Sequence, residues 1–211
     1  MISTSLTQPE QEKLIRELEI FKIQGRDKRG HPILRIIGKH FPAKLVSVDT
    51  LKKYLEDEIF PSLEERPFSV VYVNTDVNRC DNFAGISALR SIYDAVPVKV
   101  RDNLVTFYFL HPGLQSRLFL ATFGRVLFSS GGGGAGLYGK VKYVTRLEFL
   151  WGHIRRKGIE MPEFVHEYDE ELECRPTIDY GLESDHPGII HGGPESNLDS
   201  TVSTYSMRCI A

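Results

Sequence analysis

Apolar positions follow two rhythms along this chain. Leu14, Ile15, Leu18 and Phe21 recur at helical spacing. Thr7-Gln8-Pro9-Glu10 has capping-box spacing with an early proline, so the pattern predicts a short amphipathic helix ending near Gln24-Gly25. Ile33–Ile37 is a β-rich run. Asp49 can cap a helix that Pro61 stops after Phe60, with Leu51, Leu55 and Ile59 inward. Phe68–Val73 carries consecutive apolar residues from Val70 to Val73, the mark of a strand covered on both faces. Asp81 or Asn82 opens a helix to about Val96, and Leu104–Leu110 is a third strand. Lys140–Val144 is a fourth, followed by a capping box at Thr145-Arg146-Leu147-Glu148 and a helix to about Arg156. Strands alternating with helices predict βαβ crossovers and an α/β layer structure.

The segment between the third and fourth strands breaks the amphipathic rule. Leu114–Phe128 has helical length, and from Leu118 to Phe128 only Thr122, Gly124 and Arg125 are not apolar. A surface helix needs only an apolar stripe, so a helix greasy on nearly all sides is either fully buried or walls an apolar cavity. A Ser/Gly tract, Ser129–Gly136, follows it and suits a hinge together with Gly124.

Three stretches, in this order, resemble the CRAL-TRIO lipid-binding family. They are Gly25-Arg26-Asp27-Lys28-Arg29-Gly30-His31-Pro32-Ile33-Leu34, Leu104–Gly113 with its strand ending in His-Pro, and Gly139–Leu150. The likeness spans roughly Gln24 to Glu163 and is closer to a divergent branch that includes BCH domains and modules of Rho GTPase-activating proteins. One N-terminal helix, where the better-known branch carries a bundle, favours the divergent branch. The resemblance implies an α/β fold: a mostly parallel sheet flanked by helices, with the long apolar helix over the sheet. It implies non-catalytic binding of a phospholipid or other hydrophobic ligand, in lipid transfer or phosphoinositide sensing, in the cytosol and at membrane surfaces. The helix over the cavity would swing to admit the ligand. The expected wall or lid is Leu118, Phe119, Phe123, Leu127 and Phe128, over a floor of Val71, Val73, Phe107 and Phe109. The alternative is a protein-interaction module that binds small GTPases or itself and has a filled core. The head-group residues of the lipid-transfer branch do not map onto this sequence.

Composition agrees with a soluble globular chain. Of 211 residues, 41% are hydrophobic and 26% charged, and a chain of this length can bury about 70% of its unfolded surface. No apolar run reaches the roughly 18 residues of a membrane span, and the N-terminus lacks a signal-peptide pattern. Cys80, Cys174 and Cys209 are scattered and odd in number, which suits reduced thiols in a cytoplasmic setting. The net charge of −2 hides an asymmetry. Residues 1–159 hold 24 Lys and Arg against 16 Asp and Glu, a net of +8, while residues 160–211 hold 2 against 12, a net of −10. The expected organisation is a helix over 1–24, the domain over 25–168 and an acidic, Gly/Ser-rich, largely disordered tail over 169–211.

Lys140, Lys142, Arg146, Arg155, Arg156 and Lys157 form a basic set. Lys140 and Lys142 are expected on one strand face, and the triplet ends a helix, where cations suit the dipole. A lipid phosphate, an anionic membrane or a GTPase's acidic surface would engage the whole set, and nucleic acid is not expected, because no recognition motif accompanies it. No cofactor or metal is expected, since the histidines and cysteines show no ligand spacing. Gly134–Lys140 has P-loop spacing, but Val141 stands where a magnesium-binding hydroxyl belongs. Ser87 begins like a nucleophile elbow yet lies within a predicted helix. His111 is read as a turn histidine bonded to backbone, and Asp76 and Asp81 as turn and cap residues.

Overall fold

A computed structural model of the chain describes residues 6–128 and 137–174. Among these residues, five strands form one sheet in sequence order: β1 (Phe21–Arg26), β2 (Pro32–Ile37), β3 (Phe68–Val73), β4 (Leu104–Leu110) and β5 (Val141–Val144). β1 and β2 are an antiparallel hairpin, and the other three neighbouring pairs are parallel. The fold is therefore α/β, with a mostly parallel sheet between helices, as expected.

β3 and β4 fall where the continuous apolar runs place them. β1 replaces the end of the first predicted helix. That helix, α1 (Gln8–Glu17), stops at Leu18, and the chain turns through Glu19 at φ 45°. Phe21 and Ile23 then alternate at strand spacing opposite Ile36 and Leu34. The capping box is present: the Glu10 carboxylate accepts from the Thr7 N–H at 2.7 Å.

Ser47, not Asp49, caps α2 (Val48–Tyr54), its hydroxyl accepting from the Thr50 N–H. The helix does not stop at Pro61. A π-helical turn, Leu55–Ile59, leads into α3 (Phe60–Leu63). The wider turn absorbs the hydrogen bond that proline cannot donate. Leu51, Leu55 and Ile59 are buried as expected. The single helix expected from Asp81 to Val96 is two, α4 (Arg79–Asn82) and α5 (Ile86–Ala95), parted at Gly85 with φ 95°. α6 (Val98–Asn103) leads into β4, and α7 (Leu114–Leu127) is the long apolar helix. Gly124 lets α7 approach the Tyr138 ring, where an added Cβ would lie 2.6 Å from it.

α8 (Leu147–His153) has Arg146 at its N-cap, not the predicted Thr145, and ends at His153, short of Arg156. Its first amide is satisfied from far along the chain: Leu147 N–H donates to Asp169 Oδ1 at 2.7 Å. Asp169 lies on α9 (Glu163–Cys174), a helix that carries the described chain past the expected start of the tail. Residues 175–211, Cys209 among them, and the whole Ser/Gly tract lie outside the described residues.

The two sheet faces pack differently. Ile33, Ile37, Val71, Val73 and Leu110 point to one face, where Leu150, Ile154 and Val165 close over them. Leu34, Ile36, Val70, Tyr72, Phe107 and Phe109 point to the other, beneath the α2, α3, α5 and α7 helices.

Candidate functional site: an apolar cavity

Period-two alternation decides which side chains each face receives. On the second face the floor is built from β2, β3 and β4, and the roof from Leu51, Phe60, Ile92, Phe119 and Leu120. Leu34 and Val70 of the floor pack in one cluster with Leu51 and Phe60 of the roof, and elsewhere the two layers stand apart. Between them lies a cavity of about 760 Å³, within the roughly 300–1,000 Å³ of small-molecule sites. Tyr72 lies between Phe107 and Phe109, with ring centroids 6.3 and 5.1 Å away. Burial pushes its phenol up to about 12, so it is a neutral donor at any physiological pH.

Polar groups stand at the two ends. Asn74, Arg79, Asn82, Gln115 and Ser116 cluster beyond the C-terminal ends of β3 and β4. The Asn74 and Asn82 amides are spent on backbone carbonyls of His111 and of Lys39 and Phe41. The Arg79 guanidinium faces the Phe83 ring at 5.7 Å. At the other end, Arg101, Asp102 and Lys140 precede β4 and β5. Lys140 Nζ donates to the Arg101 carbonyl at 3.0 Å, and the Arg101 guanidinium lies over Tyr93 at 5.4 Å.

The expected ligand-binding residues divide. Phe107, Phe109, Phe119 and Phe128 line the cavity. Val71 and Val73 do not: they are fully buried on the opposite face, because the strand's alternation gives the cavity Val70 and Tyr72. Leu118 and Phe123 lie on the outer side of α7, 58% and 42% exposed, along with Leu114 at 65%. The side chain of Leu127 lies outside the described residues. Sequence reasoning missed Leu34, Ile36, Val70 and Tyr72 on the floor; alternation within β2 and β3 groups them, but not the side on which the space lies.

The expected basic set is not one surface. Lys140 belongs to a 3-10 turn before β5 and reaches the cavity, so it does not share a face with the exposed Lys142. Arg146 is engaged by Glu173, with Asp169 Oδ1 3.6 Å from its Nε. Arg155, Arg156 and Lys157 are exposed beyond α8.

His111 is buried, at φ 52°; its backbone N–H donates to the Val144 carbonyl as a turn histidine's should, while its ring is held by side chains. Its Nδ1 lies 2.7 Å from Thr75 Oγ1 and its Nε2 3.0 Å from Asp169 Oδ1. The neutral tautomer protonated on Nε2 satisfies both, donating to Asp169 and accepting from Thr75. Burial lowers its pKa, against the opposing pull of Asp169. The three groups resemble a hydrolytic triad in order only. Thr75 is 1% exposed and lines no part of the cavity, so no substrate reaches its hydroxyl. Ser87 lies on α5, not on a strand-to-helix elbow. The part of the P-loop-like stretch within the described residues leads from α7 into β5, with no helix after Lys140 to face a phosphate. Among the described residues no His, Cys, Asp and Glu group could hold a metal ion, and no helix is long and apolar enough to cross a membrane.

Comparison with known proteins agrees with this architecture. The mouse ganglioside-induced differentiation-associated protein 2 is 29% identical over 148 residues, covering 69% of this chain and 28% of that protein. The Drosophila melanogaster protein GDAP2 homolog is 26% identical over 145 residues, 69% of this chain and 25% of the relative. The zebrafish (Danio rerio) ganglioside-induced differentiation-associated protein 2 is 27% identical over 148 residues, 70% and 28% respectively. The chain thus spans under a third of the length of these relatives. The family described as the divergent CRAL/TRIO domain matches residues 30–171, and the chain belongs to that family.

Proposed function

We propose that this domain is a non-catalytic binder of a hydrophobic small molecule, with a phospholipid or related amphiphile seated between the sheet and α7. The observation that carries this reading is the 760 Å³ cavity with its apolar floor and roof. Water is a poor occupant beside Phe107, Phe109 and Phe119, which offer it no hydrogen bonds. An apolar chain is a good one. Arg79 at one end, and Arg101 with Lys140 at the other, give an anionic head group a place outside the apolar stretch.

Phe119 and Phe128 act as wall, and α7 as the element that moves. Leu114 and Leu118 on its outer side would meet a bilayer when it opens. Transfer between membranes and phosphoinositide sensing are the finer forms of this reading. The test is extraction of the purified chain with organic solvent and lipid mass spectrometry. A stoichiometric lipid, lost in a folded Val70→Phe variant, supports the proposal. A chain that carries no lipid and takes none from vesicles overturns it. The exposed Leu114, Leu118 and Phe123 favour a second reading, a module that binds a small GTPase or itself. A lipid-free chain whose self-association is abolished by Leu118→Ser would support that instead.

A further inference from the structure

The tight approach of two distant loops builds a surface that neither shows alone. The β1–β2 turn is Arg26-Asp27-Lys28-Arg29-Gly30, and the segment leaving α8 is His153-Ile154-Arg155-Arg156-Lys157-Gly158. Lys28 N–H donates to the His153 carbonyl and Arg155 N–H to the Arg26 carbonyl, both at 3.1 Å, and Asp27 and Ile154 form a β-bridge. Glycine permits the contact. An added Cβ on Gly25, which has φ 68°, would lie 3.1 Å from the Gly158 carbonyl oxygen.

This docking gathers Arg26, Lys28, Arg29, Arg155, Arg156 and Lys157, all exposed. None of the six makes an ion pair among the described residues, whereas Lys22, Lys39, Lys44 and Arg90 elsewhere on the surface each do. The one carboxylate within the two segments, Asp27, turns inward. It is 4% exposed and accepts hydrogen bonds from His31 and Ser69. Six like charges held together, none of them ion-paired among the described residues, repel one another, and an anionic partner that covers them relieves the repulsion. An aromatic edge adjoins it: Arg156 lies over Trp151 at 5.8 Å, and Phe149, one helical turn before His153, is 49% exposed.

We infer that this two-loop cluster is a docking surface for an anionic lipid bilayer. The cations offer net charge on exposed loops without a shaped pocket, which suits a fluid headgroup layer better than a folded protein face. Clusters of four to eight Lys and Arg beside an exposed aromatic are the composition of such contacts. The turn lies at the N-terminal edge of the parallel strands, the edge where Lys140 and Arg101 border the cavity. The inference does not depend on the cavity holding a lipid, because adhesion and ligand uptake are read separately.

The experiment is co-sedimentation of the full chain with phosphatidylcholine vesicles, with and without phosphatidylserine, at low and high salt. Binding is expected only with phosphatidylserine, and to weaken as salt rises. Arg155→Ala/Arg156→Ala/Lys157→Ala should weaken it roughly a hundredfold. Lys28→Ala/Arg29→Ala should weaken it at least tenfold despite its distance in sequence, and thermal melting of both variants should match the parent. Lipid content by mass spectrometry should be unchanged in both. Equal binding to both vesicle types overturns the inference, as does undiminished binding in the two folded variants. Absence of binding to phosphatidylserine vesicles at low salt also overturns it and redirects the surface to an acidic protein partner.

Discussion

The two faces of the sheet share strands yet differ in what they enclose. On one face, Val71, Val73, Leu110 and Leu150 are 0% exposed and packed on one another. On the other, Val70, Tyr72, Phe107 and Phe109 border a 760 Å³ cavity. The difference comes from the cover. α8 and α9 return close to the sheet, tied down by Asp169 at the start of α8 and by Arg35, whose guanidinium donates to the Glu160 carbonyl at 2.7 Å. Over the other face, Leu89, Ile92 and Tyr93 of α5 and Phe119 and Leu120 of α7 line the open space. A full core and a partly open one thus arise on alternate residues of the same strands.

Matched truncations should separate the faces most strongly. Leu150→Ala removes methyls that touch neighbours on all sides and should cost about 2–5 kcal/mol. Leu120→Ala trims a side chain that already borders open volume, so it should cost less, under about 2 kcal/mol. Urea unfolding checks both through the midpoint, with the slope held constant. Equal losses would mean that α7 packs as tightly as α8.

Enlargement should reverse the sign of the comparison at adjacent positions of one strand. Val71→Phe forces a ring into a filled core and should cost about 1–3 kcal/mol. Val70→Phe points the same ring into the cavity and should stay within about 1 kcal/mol of the parent. It should also reduce bound lipid, measured on the same preparation.

This pair marks what was legible in the sequence. The β3 and β4 strands were, because their apolar runs have strand length and clear ends. The identity of the hollow face was not, since Val70 and Val71 are the same residue type and only their covers differ. β1 was hidden because Phe21 extends the helical spacing of Leu14 and Leu18, while the switch to period two at Ile23 spans too few residues. α9 was hidden by its acidic residues. Phe164, Val165, Tyr168 and Leu172 keep helical spacing through them, but a run of carboxylates reads as tail. The docking of the Arg155–Lys157 segment on the Lys28-Arg29 turn depends on a contact between Gly25 and Gly158, which no local pattern announces.

A smaller effect belongs to the filled face alone. Burial holds the His111 pKa below its ordinary 6.5. The folded state therefore takes up its proton at lower pH than the unfolded state. Its share of stability is complete above pH 6.5 and is lost as pH falls from there through the folded value. The melting temperature should decline over that interval, and His111→Asn should flatten the decline while lowering stability throughout. An unchanged slope in the variant would assign the acid sensitivity to another group.

The smallest effect contrasts two phenols on opposite faces. Burial raises the pKa of both Tyr72 and Tyr108, the former to about 12. Tyr108 is sealed against the His153 ring, with centroids 5.3 Å apart, whatever the cavity contains. Tyr72 depends on its neighbour across the cavity. An apolar ligand packed beside the phenol desolvates it further than the ligand-free cavity does, so a bound ligand raises its pKa above that of the ligand-free chain. Absorbance titration of tyrosinate should therefore find Tyr72 ionising at lower pH after lipid extraction, with Tyr108 unmoved. Tyr72→Phe and Tyr108→Phe assign the two transitions. If neither moves, the cavity is as dry without its ligand as with it, and the two faces are less different than their volumes imply.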